Sequence, residues 1–341
     1  MTTDVDVVIV GGGPVGLSAA IEARLAGLTV AIIEPRDDTI DKACGEGLMP
    51  GAVPLLARLG VDPAGMPLRG VSYNNGQRRV DHLFRTGTGR GVRRTTLQEA
   101  LSNRATQLGA ERAVGRVESF EQDADGVTVN GIRAGWLLGA DGLHSTVRRI
   151  AGLERPVTGR KRFGLRQHFR VEPWSDLIEI HWARHAEVYV TPIAADVVGI
   201  AILGASKTGF DETIAGIAAL AVRLAGAPVA SSRRGAGPFR QRAARPSAGR
   251  VLLVGDASGY VDAITGEGLR LGFDQARVAV ETVLCGDASQ YDRAWRRSTR
   301  DFRLLTSGLV TAAMSPLRAG IVPLAATLPG LYGTVVERLA R

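Results

Sequence analysis

A glycine-rich turn lies between two apolar runs near the N-terminus. Gly11, Gly13 and Gly16 form a Gly-x-Gly-x-x-Gly pattern directly after the β-branched run at residues 5–10. Glu34 ends a second run, 18 residues after Gly16. The first glycine permits a tight turn, the second leaves room for a diphosphate, and the third lets helix and strand pack closely. The diphosphate would meet the positive end of the helix, and Glu34 can accept hydrogen bonds from a ribose. The pattern therefore predicts a dinucleotide site.

A second segment with similar chemistry occurs near residue 260. Asp256 follows a buried-strand run, and Gly266 to Gly268 open a helical pattern at residues 269–284. A buried carboxylate is costly without a polar partner, so Asp256 predicts a polyhydroxyl ligand, with a cap or an ion pair as the structural alternative. The free amides at the start of the helix would stabilise negative charge on that ligand.

Few other residues are candidates for chemistry, and each has a structural alternative. Cys44 contacts a ligand or fills a small apolar space, and Glu46 is a general acid or a solvated loop carboxylate. His168 and His181 point into a cavity from their strands or are merely half-exposed. No His, Cys or acidic cluster has metal-ligand spacing, so no metal is expected.

The patterns around these residues predict a mixed α/β fold. A Rossmann-like nucleotide domain would comprise residues 1–70, 92–159 and 248–303, and an antiparallel sheet domain, covered on one face, would comprise residues 71–91 and 160–247. Strands are expected at 114–120 and 126–132, and helices at 94–108 and 211–226.

Residues 304–341 form an apolar segment that we predict to be helical. The longest uncharged run, residues 319–336, has 18 residues, the lower limit for a membrane span, and it contains Pro323 and Pro329. We therefore expect short helices that cover an apolar substrate cavity or lie at a membrane surface.

Composition limits the remaining classes of function. The 341 residues include 43 Gly, and 42 basic against 34 acidic residues give a formal charge of +8. The positive field suits an anionic cofactor or lipid headgroups, and no nucleic-acid-binding motif accompanies it, so no nucleic-acid partner is expected. Two cysteines and the absence of a signal pattern predict a cytoplasmic protein, with peripheral membrane association open. The oligomeric state is not predicted.

Three further segments bring a family resemblance. These are Arg94-x-x-Leu97-x-x-x-Leu101, residues 139–149 and residues 255–259, which together with the N-terminal turn resemble flavoproteins related to p-hydroxybenzoate hydroxylase over about residues 5–300. The resemblance implies noncovalent FAD, with NADPH or NADH as reductant. It implies that FAD is held by Gly11, Gly13, Pro14, Val15, Gly16, Glu34, Arg36, Arg94, Val117, Asp141, Gly142, Asp256, Gly266, Gly268 and Leu269.

Three further segments bear on the branch within that group. The segment from Ala43 to Leu48, together with Gly259 and the segment from Gly266 to Gly268, resembles geranylgeranyl reductases and flavin-dependent halogenases. The segment from Tyr189 to Pro192 matches the reductases only in part. The leading expectation is a monooxygenase that uses NAD(P)H and O₂ to hydroxylate an apolar aromatic or polyketide-like molecule. The alternatives are an ene-reductase of prenyl chains, a halogenase and a flavin-binding protein without turnover. Catalytic residues are unknown, with Cys44, Glu46 and Tyr189 as candidates.

Overall fold

The computed structural model describes residues 3–341. The helices are α1 (Pro14–Leu25), α2 (Ala52–Arg58), α3 (Arg94–Gln107), α4 (Thr146–Ile150), α5 (Phe210–Ala215), α6 (Ala218–Arg223), α7 (Gly268–Cys285), α8 (Ala288–Ala313), α9 (Ile321–Thr327) and α10 (Pro329–Ala340), with 3-10 turns at Gly255–Ser258 and Pro316–Gly320.

The strands, in chain order, are β1 (Val5–Val10), β2 (Val30–Glu34), β3 (Gly47–Leu48), β4 (Met66–Leu68), β5 (Gly70–Asn74), β6 (Arg79–Leu83), β7 (Gly89–Gly91), β8 (Glu111–Val114), β9 (Phe120–Gln122), β10 (Val127–Val129), β11 (Ile132–Gly139), β12 (Glu154–Arg155), β13 (Phe163–Arg170), β14 (Leu177–Trp182), β15 (Ala186–Ala194), β16 (Val197–Gly204), β17 (Arg234–Ala236), β18 (Arg242–Ala243), β19 (Ser247–Ala248) and β20 (Val251–Leu253).

The first sheet is the nucleotide-binding type predicted from the sequence. Its order is β19-β20-β11-β1-β2-β8, with the four pairs from β20 to β8 parallel and β9 and β10 folded back antiparallel on β11. Val7 and Ile9 of β1 pack toward α1 and α7, whereas Val8 and Val10 pack into a core on the opposite face. Burial on both faces explains why residues 7–10 of β1 are all apolar.

The second sheet forms one wall of the site described below. Its order is β17-β13-β16-β15-β14-β5-β6, antiparallel except where β14 pairs with β5. Val188 and Ile200 pack against α5 and α6, and Tyr189 and Ala201 face the opposite side. The prediction that only one face is covered is wrong, because the tail helices and the first domain's loops cover the other face. β3, β7 and β4 form a small separate sheet, and β12 pairs with β18.

Several predicted boundaries are corrected. Residues 115–119 are not a strand: the chain leaves the sheet after β8 and carries Val117 across the ends of the strands. The helix expected at 211–226 is two helices, because Ile217 is extended, with φ −112° and ψ 95°. The helical tail starts earlier than residue 304, since α8 continues through that position. The domain boundaries themselves stay a prediction, although β5, β6 and β13 to β17 all belong to the second sheet.

The tail helices pack onto the second sheet. Val322, Tyr332 and Val336 are buried in the same apolar core as Tyr189. Among residues 3–341 no single helix has the length and hydropathy to cross a bilayer, and α8 taken with the segment Pro316–Thr327 meets those criteria only as two parts bent by 99°.

A buried ion cluster fixes the tail to the sheet. Glu187 of β15 is fully buried and pairs with Arg162 and with Arg318, which also donates to the Ala183 carbonyl. Asp262 lies 3.1 Å from the Arg162 Nε. The charges compensate one another only while Glu187 is present.

We expect Glu187→Gln to destabilise the fold by about 3–5 kcal/mol, because it leaves two buried guanidinium groups short of one carboxylate. Urea denaturation of the purified protein would measure this difference. Glu281→Gln is the matched control, since Glu281 pairs with Arg277 on the exposed side of α7, and it should change stability by no more than about 0.5 kcal/mol. Equal effects of the two substitutions would contradict a structural role for the cluster.

Candidate functional site

A cavity of about 670 Å³ lies between the two sheets. One end is formed by the carboxyl ends of the parallel strands, including Val10, Glu34 and Val254, which is where open α/β sheets bind their ligands. The other end is formed by the inner face of the second sheet, including Tyr189 and Leu203. The two ends belong to one continuous space.

The glycines of the N-terminal turn differ in what they contact. Gly11 has φ +109°, and a Cβ there would lie 2.5 Å from the Ala140 carbonyl oxygen. A Cβ on Gly16 would lie 1.9 Å from the Gly11 oxygen, so Gly16 is required by backbone packing. At Gly13 the nearest atom is Nη2 of Arg94, 3.9 Å from the Cβ position, so this glycine opens onto the cavity. The cradle that a Cβ would fill is therefore at Gly13.

Glu34 is held as an anion at the end of β2. Its carboxylate accepts hydrogen bonds from the Gly12 N–H at 2.8 Å and from the Arg36 Nε at 2.6 Å. Burial raises the pKa of Glu34, but the hydrogen bonds from Arg36 and Gly12 and the charge of Arg36 outweigh it, so the net pKa lies below the usual value. The charge of Arg36 is thus partly neutralised before any ligand binds.

Two residues that line the cavity beside the turn each keep a buried polar atom without a protein partner within residues 3–341. Arg94 begins α3, and its Nε makes no hydrogen bond. Asp141 caps α4 by accepting from the Thr146 N–H at 2.7 Å through Oδ2, whereas its Oδ1 is buried and unpaired. A donor and an acceptor left open in this way fit a ligand that carries both phosphate oxygens and hydroxyl groups.

The segment around Asp256 completes this end of the cavity. Asp256 lies in the 3-10 turn after β20, and burial raises its pKa against the opposing charges of Lys42, Arg94 and Arg148. Gly266 has φ +70°, which favours glycine, and Gly268 starts α7. The positive end of α7 therefore faces the cavity.

The structure brings the predicted cofactor residues together. All of them line this cavity except Gly16, which lies beneath Gly11. Their individual contacts with FAD stay predictions.

Glu267, between the two glycines, is almost fully buried. Its Oε2 accepts from the Arg270 Nε at 2.7 Å, and its Oε1 has no partner among the described residues. Burial raises the pKa of Glu267 to about 7, despite the charge and hydrogen bond of Arg270. A carboxyl with a raised pKa binds its proton more tightly in the folded state, so stability falls as the pH rises from about 4.5 through about 7.

We expect Glu267→Gln to remove this pH dependence. The variant should gain stability over the parent protein by about 1–3 kcal/mol at pH 8, and the difference should shrink toward pH 5. Thermal unfolding at both pH values measures it. A difference that is the same at pH 5 and pH 8 would show that Glu267 does not titrate in this range.

Glu46 is buried and paired, so its reading as a solvated loop carboxylate is wrong. Its Oε2 lies 2.6 Å from Nε2 of His168, its Oε1 accepts from the Arg94 N–H at 2.9 Å, and the Arg166 Nε is 3.9 Å away. Nδ1 of His168 lies 2.7 Å from the Ser231 Oγ. The pair holds the loop at residues 43–47, which lines the cavity, against α3 and β13.

The two strand histidines are also buried, which contradicts their half-exposed reading. His168 does not line the cavity but contacts Glu46, and His181 lies 3.2 Å from Glu179. Sequence reasoning missed Arg166 and its partner Asp41, although the two-residue spacing of Arg166 and His168 on one strand places them on the same face.

The other two candidates line the cavity. Cys44 is half-buried. The Tyr189 hydroxyl donates to the Ile264 carbonyl at 2.7 Å, and burial, followed by the charge of Glu187, raises the pKa of Tyr189 well above its usual value. Tyr189 therefore stays protonated and bonded to protein.

The far end of the cavity is apolar. Its walls come from the second sheet, the loops beside it and α10, and they include Met49, Val71, Tyr73, Ile178, Ile180, Leu203, Phe239, Ile264, Val336 and Leu339. The contribution of Val336 and Leu339 links the tail to the site.

Comparison with known proteins identifies the family. Residues 4–289 match the model of the FAD binding domain. The chain is 31% identical over 298 residues to dialkyldecalin synthase of Streptomyces rugosporus, covering 79% of this chain and 63% of the synthase, so it spans about three fifths of that relative. It is 28% identical to menaquinone reductase of Mycolicibacterium smegmatis, covering 86% and 80% of the two chains.

A solved structure is similar to this chain in both fold and sequence. The anhydrotetracycline hydroxylase of Streptomyces rimosus superposes with a TM-score of 0.71 at 26% identity, covering 98% of this chain and 75% of the hydroxylase. The glycine cradle, the unpaired atoms of Arg94 and Asp141 and the positive end of α7 fit FAD. The chain therefore belongs to the FAD-binding-domain family.

Proposed function

We propose that this protein is an FAD-dependent monooxygenase that uses NAD(P)H and O₂ to hydroxylate an apolar aromatic or polyketide-like small molecule. The observation that carries the proposal is the continuity of the cavity, which joins the dinucleotide turn to an apolar compartment without an intervening wall. An apolar substrate in that compartment would lie beside the redox group.

Some residues of the cavity would bind the cofactor, and others would exclude water from it. Gly13 and Arg94 would hold the diphosphate, Asp256 the ribityl chain, and the positive end of α7 the negative charge of the reduced ring. When bound, FAD supplies electron transfer from a nicotinamide and the activation of O₂. The apolar walls exclude water from the place where the substrate reacts.

Aromatic side chains at the apolar end of the cavity favour some substrates over others. Burial raises the pKa of Tyr73, Tyr189 and Tyr260 above the usual value, so all three remain neutral. With Phe239 they offer neutral aromatic surface for stacking, which favours planar ring systems.

The test uses the purified protein reconstituted with FAD. Candidate phenols and aromatic polyketides are supplied with NADPH or NADH under ¹⁸O₂, and mass spectrometry follows the product. We expect substrate-dependent NAD(P)H oxidation and one ¹⁸O atom in the product. Oxidation of NAD(P)H without labelled product for every aromatic substrate tested would refute hydroxylation.

A second candidate is the reduction of an alkene in a prenyl chain. Similarity to a menaquinone reductase over most of both chains favours it, and the apolar compartment could hold a prenyl chain. Anaerobic mixing discriminates the two reactions. Anaerobic reoxidation of the reduced flavin by a prenyl lipid that has no quinone ring, with a product two hydrogens heavier than that lipid, would support reduction, whereas reoxidation that requires O₂ would support hydroxylation.

A further inference from the structure

We propose that the C-terminal helices dock on an anionic lipid bilayer, through exposed leucines that enter the acyl boundary and basic side chains that contact the headgroups. Such docking does not depend on which reaction the flavin carries out. Two surfaces that the site does not use carry the proposal.

The first is a leucine surface on α8, α9, α10 and the 3-10 turn before α9. It consists of the highly exposed side chains Leu304 (72%), Leu317 (70%), Leu324 (56%), Leu328 (46%) and Leu331 (55%). The only charged residue between Leu304 and Val336 is Arg318, and its guanidinium faces inward to Glu187 and over the Trp182 ring. These leucines therefore lie in a stretch of chain with no outward-facing charge of its own, and exposed apolar side chains gathered in this way mark contacts with proteins or membranes.

The second is a basic groove of about 450 Å³ near β12 and β18. Arg155, Arg160, Lys161 and Arg240 line it, and Arg242 and Arg303 lie near Arg240, so six basic side chains are gathered here. None of the six forms an ion pair with an acidic residue within residues 3–341, and the one acid in the groove, Glu154, pairs with Arg148. Burial, followed by the charges of Arg242 and Arg240, lowers the pKa of Arg303. Basic side chains gathered in this way without acidic partners indicate an anionic partner.

The two surfaces adjoin. Nη1 of Arg160 lies 3.5 Å from the Met314 carbonyl oxygen at the end of α8, three residues before Leu317. Arg303 directly precedes Leu304 on α8, and Arg297 and Arg300 are exposed on the same helix. Apolar side chains bordered by arginines match the interface of an anionic bilayer, where each basic residue near the surface strengthens binding about fivefold. A second copy of the chain fits this surface less well. It would place its own basic groove beside the basic groove of the first copy, and the like charges would repel.

The docked surface lies close to the apolar end of the cavity. Leu331 is exposed on α10, and Val336 and Leu339 of the same helix line the cavity wall. A bilayer at the leucine surface would therefore lie one helix away from the substrate compartment.

The experiment is co-sedimentation of the full FAD-loaded chain with vesicles. One set contains phosphatidylcholine alone, and the other contains phosphatidylcholine mixed with phosphatidylglycerol. We expect binding to the anionic vesicles that weakens at high salt, and at least about tenfold weaker binding to the neutral ones. Flavin absorbance in the pellet reports that the bound protein is folded.

Two pairs of variants test the two surfaces. Leu317→Ser with Leu324→Ser, and separately Arg155→Glu with Arg240→Glu, should each weaken binding about tenfold or more. The controls come from α6 on the far face of the second sheet, where Val222→Ser and Arg223→Glu should leave binding unchanged. No sedimentation with either vesicle would overturn the proposal. So would a dimer in light scattering that the leucine substitutions dissociate, because a second copy would then cover this surface.

Discussion

Gly13→Val is expected to give folded protein that retains less than about a tenth of its FAD. The φ and ψ of Gly13, −73° and 173°, are open to any residue, and its Cβ would point into the cavity toward Arg94 rather than into packed backbone. The valine side chain would occupy the space that the diphosphate needs. The ratio of flavin to protein absorbance measures the loss, and circular dichroism measures folding.

Two other glycine-to-valine substitutions separate an effect on the cofactor from an effect on folding. Gly308→Val, in open space on α8, is a matched substitution that should retain full flavin content. Gly16→Val should prevent folding, because its Cβ position is 1.9 Å from the Gly11 oxygen. Retention of FAD by folded Gly13→Val would show that the diphosphate does not pass this glycine.

The parallel sheet was predictable because its determinants are local in sequence. The run ending at Val10, the glycine turn and Glu34 define a strand, a turn and a strand end without reference to any distant residue. The same locality made α3 and α7 predictable to within one or two residues. The crossing at residues 115–119 lies between Val114 and Phe120 and was expected to continue as a strand, but it has no ladder partner among the described residues. Pairing is a tertiary property that the sequence pattern does not contain.

The surroundings of the site were harder to predict because their contacts are distant in sequence. Glu46 and His168 are 122 residues apart, so nothing around either residue shows that they meet. Each taken alone is an ordinary polar residue in a loop or a strand, and the prediction of solvation followed from that. The tail shows the same limit: its hydrophobicity predicted helices, but the inward ion pair of Arg318 with Glu187 depends on a partner 131 residues away.

Glu46→Ala is expected to have the second large effect, a loss of about 3–5 kcal/mol in the free energy of unfolding. The carboxylate is nearly inaccessible to water and holds His168, the Arg94 N–H and the charge of Arg166 at once. Alanine would leave these donors without their acceptor inside the protein, where each unmet hydrogen bond costs about 1–3 kcal/mol. Urea denaturation with and without FAD would measure the loss.

Glu46→Gln separates the charge from the hydrogen bonds. Its amide oxygen can still accept from one donor, so we expect a loss smaller than that of Glu46→Ala. Because the loop at residues 43–47 lines the cavity and Arg94 begins α3 beside Gly13, weakening this anchor should also speed FAD dissociation. If Glu46→Ala unfolds like the parent protein and releases FAD no faster, the buried pair does not anchor the loop. In that case Glu46 would return to consideration as an acid that acts on the substrate.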